Sequence, residues 1–234
     1  MQLCASSSQA QQLPVLKPSL GGVNTYTVKE QQSWQKALSL YDQVNEAEIK
    51  YSSLSTAQQQ WIDSLEMGMG PMTEGVGCSW YCGGGPYKIT ASDNLLANGS
   101  NTYVADNIHD FNLFTPWVPD TKTGVIGKSI SFYFEPKAPR VTSIIVYNGY
   151  IKNKELWQQN GRVKKLKMYI NQQPYAILEL VDEDNAQEFK IPPTNSPVEG
   201  VDLVLTFEIL EVYPGTKYKD VVLSEINFDG IDVH

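Results

Sequence analysis

The run Asn107-Ile108-His109-Asp110-Phe111-Asn112-Leu113-Phe114-Thr115-Pro116-Trp117 gathers amide, carboxylate and hydroxyl oxygens into one polar loop. Such a loop can hold a hard cation, which takes roughly six to eight oxygens from carboxylates and backbone carbonyls of a tight turn. A second chemistry-bearing stretch is Cys78-Ser79-Trp80-Tyr81-Cys82-Gly83-Gly84-Gly85. Zinc would need further ligands, and His109, His234 and the distant Cys4 do not supply a second pair. A dithiol redox motif has two residues between its cysteines, and here there are three. The simplest reading is a short-loop disulfide between Cys78 and Cys82, formed in an oxidising compartment. No nucleophile elbow, phosphate loop, dinucleotide fingerprint or His-Glu-x-x-His occurs. The acids Asp182-Glu183-Asp184 read as a solvated corner, whereas a glycosidase needs two carboxylates that face each other. No catalytic residue is assigned, and the chain is expected not to be an enzyme.

The elements that must position these groups change character along the chain. Residues 1–26, rich in Ser, Gln, Pro and Gly, read as a flexible tether that follows a removed signal peptide. Thr27-Val28-Lys29-Glu30 is a capping-box signature, after which Trp34, Ala37, Leu38, Tyr41 and Val44 fall at helical spacing. Ser55-Thr56-Ala57-Gln58 starts a second helix carrying Trp61, Ile62 and Leu65, stopped by Gly68, Gly70 and Pro71. Residues 27–75 are therefore expected to form a helical hairpin extension. From Tyr87 onward the period becomes two, as in Ile130-x-Phe132-x-Phe134, Leu166-x-Met168-x-Ile170 and the stretch Val201 to Ile209. Val141 to Tyr147, Ala176 to Leu180 and Val222 to Phe228 add further strands, separated by Pro, Gly, Asn and Asp clusters. Many short strands without intervening helices predict a mainly β sandwich or jelly roll over residues 76–234.

Composition narrows the partners. The 234 residues, 41% hydrophobic and 19% charged, are ordinary for a globular chain. A net charge of −8 with Arg140 and Arg162 as the two arginines argues against nucleic acid, which selects basic faces. The basic run Arg162 to Lys167 alternates with apolar residues and reads as a strand with a solvated lysine face. Thirteen Tyr and five Trp suit a binding surface, because rigid rings bury area at small entropic cost. No segment approaches the roughly 18 apolar residues of a membrane span. Cys4-Ala5-Ser6-Ser7-Ser8 resembles the start of a mature bacterial lipoprotein, with Cys4 as a candidate lipid anchor. The protein is expected to be exported: periplasmic, an outer-surface lipoprotein, or secreted.

Asn107, Asp110, Thr115 and Trp117 resemble the opening motif of discoidin-like domains, the coagulation factor 5/8 type C, galactose-binding-like β-sandwiches. Ser224-Glu225-Ile226 resembles their last strand. Asn148-Gly149-Tyr150-Ile151-Lys152, Leu156-Trp157, Asn160-Gly161-Arg162-Val163-Lys164 and Val212-Tyr213-Pro214-Gly215-Thr216-Lys217-Tyr218 are similar to a branch called the NADase-type glycan-binding domain, found in bacterial surface proteins. The resemblance runs from about Cys78 to Asp229 and includes no NADase catalytic domain. It implies a discoidin-like jelly roll with an N-terminal helical hairpin, and a structural Ca2+ held by Asn107, Asp110, Asn112, Ser224 and Glu225. Phe111 stands where the family usually has Gly. The implied function is non-catalytic binding of a glycan or cell-surface polysaccharide. Its candidate ligand residues are Tyr150, Trp157, Asn160, Tyr213 and Tyr218, with Trp117 in the core and Arg162 anchoring a loop. The alternative is a protein-binding or assembly module with no sugar ligand, using the same loops or the hairpin.

Overall fold

Alternating apolar strands must bury one face each, and here they do so by stacking two sheets. The computed structural model describes residues 12–23, 27–66 and 80–232. In chain order the strands are β1 (Val15–Leu16), β2 (Ser19–Val23), β3 (Lys88–Ala91), β4 (Ser129–Phe134), β5 (Val141–Asn148), β6 (Gly161–Ile170), β7 (Gln173–Glu179), β8 (Asn185–Thr194), β9 (Leu203–Tyr213) and β10 (Val221–Gly230). One layer runs β3-β4-β9-β6-β7-β1 and the other β10-β5-β8-β2. β10 joins the layers. Val221 and Val222 lie parallel to Gly161 and Arg162 of β6, and Glu225 to Gly230 then pair antiparallel with β5. The core between the layers holds Trp117, Phe132, Phe134, Phe207 and Phe228. Phe228 meets Phe132 and Phe134 edge to face at 4.9 and 5.1 Å, the geometry that ring quadrupoles favour. The fold is the expected mainly β, discoidin-like jelly roll.

The hairpin helices are α1 (Val28–Asn45) and α2 (Thr56–Glu66). The Thr27 side chain accepts from Glu30 N, and Glu30 reaches back to Thr27 N at 2.8 Å, which is the capping box that the residues announced. Ser55 and Gln58 repeat the arrangement at the start of α2. Ala37, Ile62 and Leu65 are the buried apolar residues of the pair.

Three sequence expectations need correction. Residues 15–23, assigned to a tether over residues 1–26, form a strap over the sandwich: β1 runs parallel to β7 and β2 antiparallel to β8. The strap closes the free edge of both layers, with Leu16 against the core and a Lys17–Glu179 ion pair outside. The polar stretch 154–159 is a helix within the sandwich, α3 (Lys154–Gln159), capped by Asn153 Oδ1 accepting from Leu156 N at 2.8 Å. The acid run is no solvated corner either, since Asp182 grips Arg162 and the buried Asp184 pairs with Lys154. Cys4 and Cys78, and with them the lipid-anchor and disulfide expectations, lie outside the described residues.

Removing the strap should uncover two strand edges and the Leu16 pocket. A chain that begins at residue 24 should melt roughly 5 °C or more lower, since about 2–4 °C accompanies each kcal/mol lost at this size. Sedimentation should also detect concentration-dependent association through the bared edges. An unchanged melt would mean that the strap contributes nothing to the fold.

Candidate functional site

β10 is buried on both faces from Val221 to Phe228, so its polar side chains must find partners inside the protein. Ser224 does so by donating to Gly149 O at 2.8 Å and accepting from Ile151 N at 3.2 Å. Glu225 is 0% exposed. Its Oε1 accepts from Asn112 N at 3.1 Å, and among the described residues its Oε2 meets no hydrogen-bond donor, with the Asp110 carboxyl as its neighbour. The same Asn112 N–H donates to Asp110 Oδ1 at 2.9 Å, which sets the two carboxylates side by side. Burial first, and the adjacent Asp110 charge second, push the Glu225 carboxyl well above the usual carboxylate range. Among the described residues neither acid has an ion-pair partner.

The loop that presents Asp110 is held from several directions. Thr115 Oγ1 donates to Asp110 Oδ2 at 2.6 Å, and Asn107 Nδ2 donates to Thr102 O and Pro116 O. Phe111, which stands where the family usually has glycine, adopts a left-handed φ of 61°, and its ring packs on His109 and Tyr81 at 4.9 and 5.2 Å. Those ring contacts offset the strain that φ imposes on a residue with a Cβ. The five expected ligands thus divide. Asp110, Asn112 and Glu225 converge, while the side chains of Asn107 and Ser224 stitch the loops together. An orphaned, buried carboxylate oxygen beside a second acid fits the donor chemistry of a hard cation.

The aromatic candidates divide too. Trp157 is 7% exposed and forms a small second core with Leu113 and Ile151 beneath the loops. Its Nε1–H donates to Asn148 O at 2.9 Å, and both Lys154 and Arg162 lie over its ring. This side chain cannot offer a free face to a sugar. Asn160 is buried and donates to Leu156 O, and Tyr213 donates to Leu180 O. Arg162 binds Asp182 through two bonds and donates to Trp157 O, Asn160 O and Pro214 O, tying α3 to the loop after β9. Tyr218 is exposed on that loop, under Lys217.

Of the five, Tyr150 lines a cleft of about 520 Å³ between α1 and the sandwich loops. The sandwich wall carries Asn101, Tyr103, Asn112, Tyr150 and Lys152, and the helix wall Gln35, Asp42, Gln43 and Glu46. Burial, with Tyr103 nearby, holds the Tyr150 phenol up to about 12, so it stays a neutral donor at ordinary pH. Sequence reasoning missed Tyr103, Asn101 and the whole helix wall. The helix residues do repeat at helical spacing, but a polar stripe beside an apolar one ordinarily faces water.

The burial of Trp157 makes a direct test. Trp157→Ala should cost about 3–5 kcal/mol of unfolding free energy in a denaturant titration, as deletion of a buried Trp does. Gly149→Ala should cost about 1–3 kcal/mol by overpacking, because its Cβ would sit 2.7 Å from Trp157 at a φ of +92°. A fully stable Trp157→Ala protein would contradict the supporting role.

A family model for the NAD glycohydrolase translocation F5/8 type C domain matches residues 80–229, leaving the strap and hairpin outside. No curated protein matches the chain. Among solved structures, a CBM32 module from Clostridium perfringens, in complex with GalNAc-β-1,3-galactose, is 16% identical with a TM-score of 0.45, covering 61% of this chain and 94% of that one. The CBM32-1 and CBM32-2 domains of Clostridium perfringens ZmpB are 11% identical with a TM-score of 0.46, covering 88% of this chain and 53% of that one. The Streptococcus pyogenes NAD+-glycohydrolase translocation domain is 19% identical with a TM-score of 0.34, covering 56% of this chain and 99% of that one. With well over half of its length matched by the family model, the chain belongs to the NAD glycohydrolase translocation F5/8 type C domain family.

Proposed function

We propose that this protein is a non-catalytic glycan-binding module of an exported bacterial protein, receiving its ligand in the cleft beside Tyr150. The observation that carries this reading is the cleft itself. Its volume lies within the roughly 300–1,000 Å³ of small-ligand sites, and it combines two phenol rings with amides and a lysine. Rings that cover C–H faces and planar polar groups that meet hydroxyls are what a saccharide requires. The cleft's acids, Asp42 and Glu46, sit one turn apart on a single helix wall. They do not flank a bond from two sides, as glycoside hydrolysis demands. Tyr150→Ala should weaken binding about tenfold, or ~1.4 kcal/mol, on an array of immobilised glycans. Wild-type affinity in that variant would remove Tyr150 from the site.

A structural Ca2+ at Asp110, Asn112 and Glu225 belongs to the same reading. Bound there, it would neutralise the paired acids and tie the 107–117 loop to β10. The pH dependence has a defined sign. Glu225 is raised above its ordinary value of 4.5, so the folded chain retains a proton that the unfolded chain releases. Without a cation, its contribution to stability is therefore greatest at low pH and is lost as pH rises above about 4.5. Melts in EDTA should fall towards pH 8, and added calcium should restore them there while changing little near pH 5. Glu225→Gln should flatten both responses. A wild-type melt at pH 8 that ignores EDTA and calcium would contradict the ion.

A protein partner is the second reading, favoured by the groove between α1 and α2, where Trp61 is 38% exposed beside Leu40. A blank glycan array with folded protein would shift the weight to that groove.

A further inference from the structure

The hairpin lies outside the span that the family model matches, yet α1 supplies one full wall of the cleft. We infer that α1 is a working half of the saccharide site, and that the site takes an uncharged oligosaccharide chain of at least two sugars. This inference rests on the glycan-binding reading above.

Three features carry it. The cleft-facing positions run from Gln35 through Asp42 of α1 to its C-cap Glu46, three turns or about 16 Å of helix axis at 1.5 Å per residue. A wall that long beside an open trough contacts successive sugars along a chain, whereas one terminal sugar would leave most of it idle. The wall is also registered against the sandwich. Gln31 Oε1, on the turn before it, accepts from Asn153 Nδ2 at 2.8 Å. Asn153 is in turn the buried cap of α3, whose Trp157 supports the loops opposite. The third feature is charge. Asp42 and Glu46 line one wall of the trough and Lys152 the other, and among the described residues no ion pair joins the two walls. Hydroxyl groups can bridge that gap, donating to the carboxylates and accepting from the ammonium. Uronate or sialate groups would meet two acids on a chain of net charge −8.

The test uses the full chain in calcium against immobilised neutral mono-, di- and tetrasaccharides and their uronate- or sialate-bearing counterparts. Asp42 and Glu46 are exposed, so the double variant Asp42→Ala/Glu46→Ala is expected to fold as the wild type does. It should bind neutral chains about tenfold more weakly, and Asp42→Lys should gain acidic chains. In the wild type, affinity should rise from one sugar to two and favour the neutral series. Loss of binding in Tyr150→Ala with none in the α1 variants would overturn the inference and leave the glycan reading standing. A preference for single or acidic sugars would likewise overturn it. A folded wild-type protein that ignores every probe would overturn both.

Discussion

A strand buried on both faces cannot carry polar side chains unless its surroundings are built to receive them, and β10 carries three: Ser224, Glu225 and Asn227. Much of the site's architecture answers that constraint. Ser224 fixes the turn around Gly149 and Ile151, which brings Tyr150 and Lys152 to the cleft. Glu225 fixes the 107–117 loop through Asn112, which itself lines the cleft. This arrangement leaves Glu225 Oε2 unpartnered among the described residues, and the raised pKa favours a proton on the carboxyl. The site is therefore coupled to the core through one strand.

A second constraint operates from below. Trp157, Leu113 and Ile151 form a small core under the loops, and Arg162 clamps its rim to Asp182 and to the carbonyl oxygens of Trp157, Asn160 and Pro214. A planar guanidinium can serve several acceptors at once, which suits a junction of three chain segments. Gly149 is needed here because a Cβ would strike both the Trp157 ring and the Arg162 side chain. Together these groups give the sandwich wall of the cleft a rigid backing, as a preorganised binding surface requires.

How much of this was legible in the sequence depended on whether a feature was local. The capping box at Thr27 and the alternation of Ile130, Phe132 and Phe134 are short-range patterns, and they correctly announced α1 and β4. The opening motif and Ser224-Glu225-Ile226 identified the family, and they placed Asp110 and Glu225 together across more than a hundred residues. The strap was hidden because its Pro-, Gly- and Ser-rich composition resembles a tether, and its pairing with β7 and β8 is wholly tertiary. Trp157 misled because a six-residue helix is too short to show a period, so its ring had no evident partner. Asn153 ahead of it was the available sign of a cap. The cleft could not be read at all, since its walls come from residues 35–46, 100–103, 112–116 and 150–152, which meet only in the fold.

The measurement that tests the account most directly is hydrogen exchange on the full chain in calcium, with and without a saturating neutral tetrasaccharide. Slowed exchange is expected in both walls of one cleft: α1 and its C-cap around residues 35–46, and the loops around 100–103 and 150–152. Protection confined to the loop at 213–218, to the groove beside Trp61, or to no segment would contradict it.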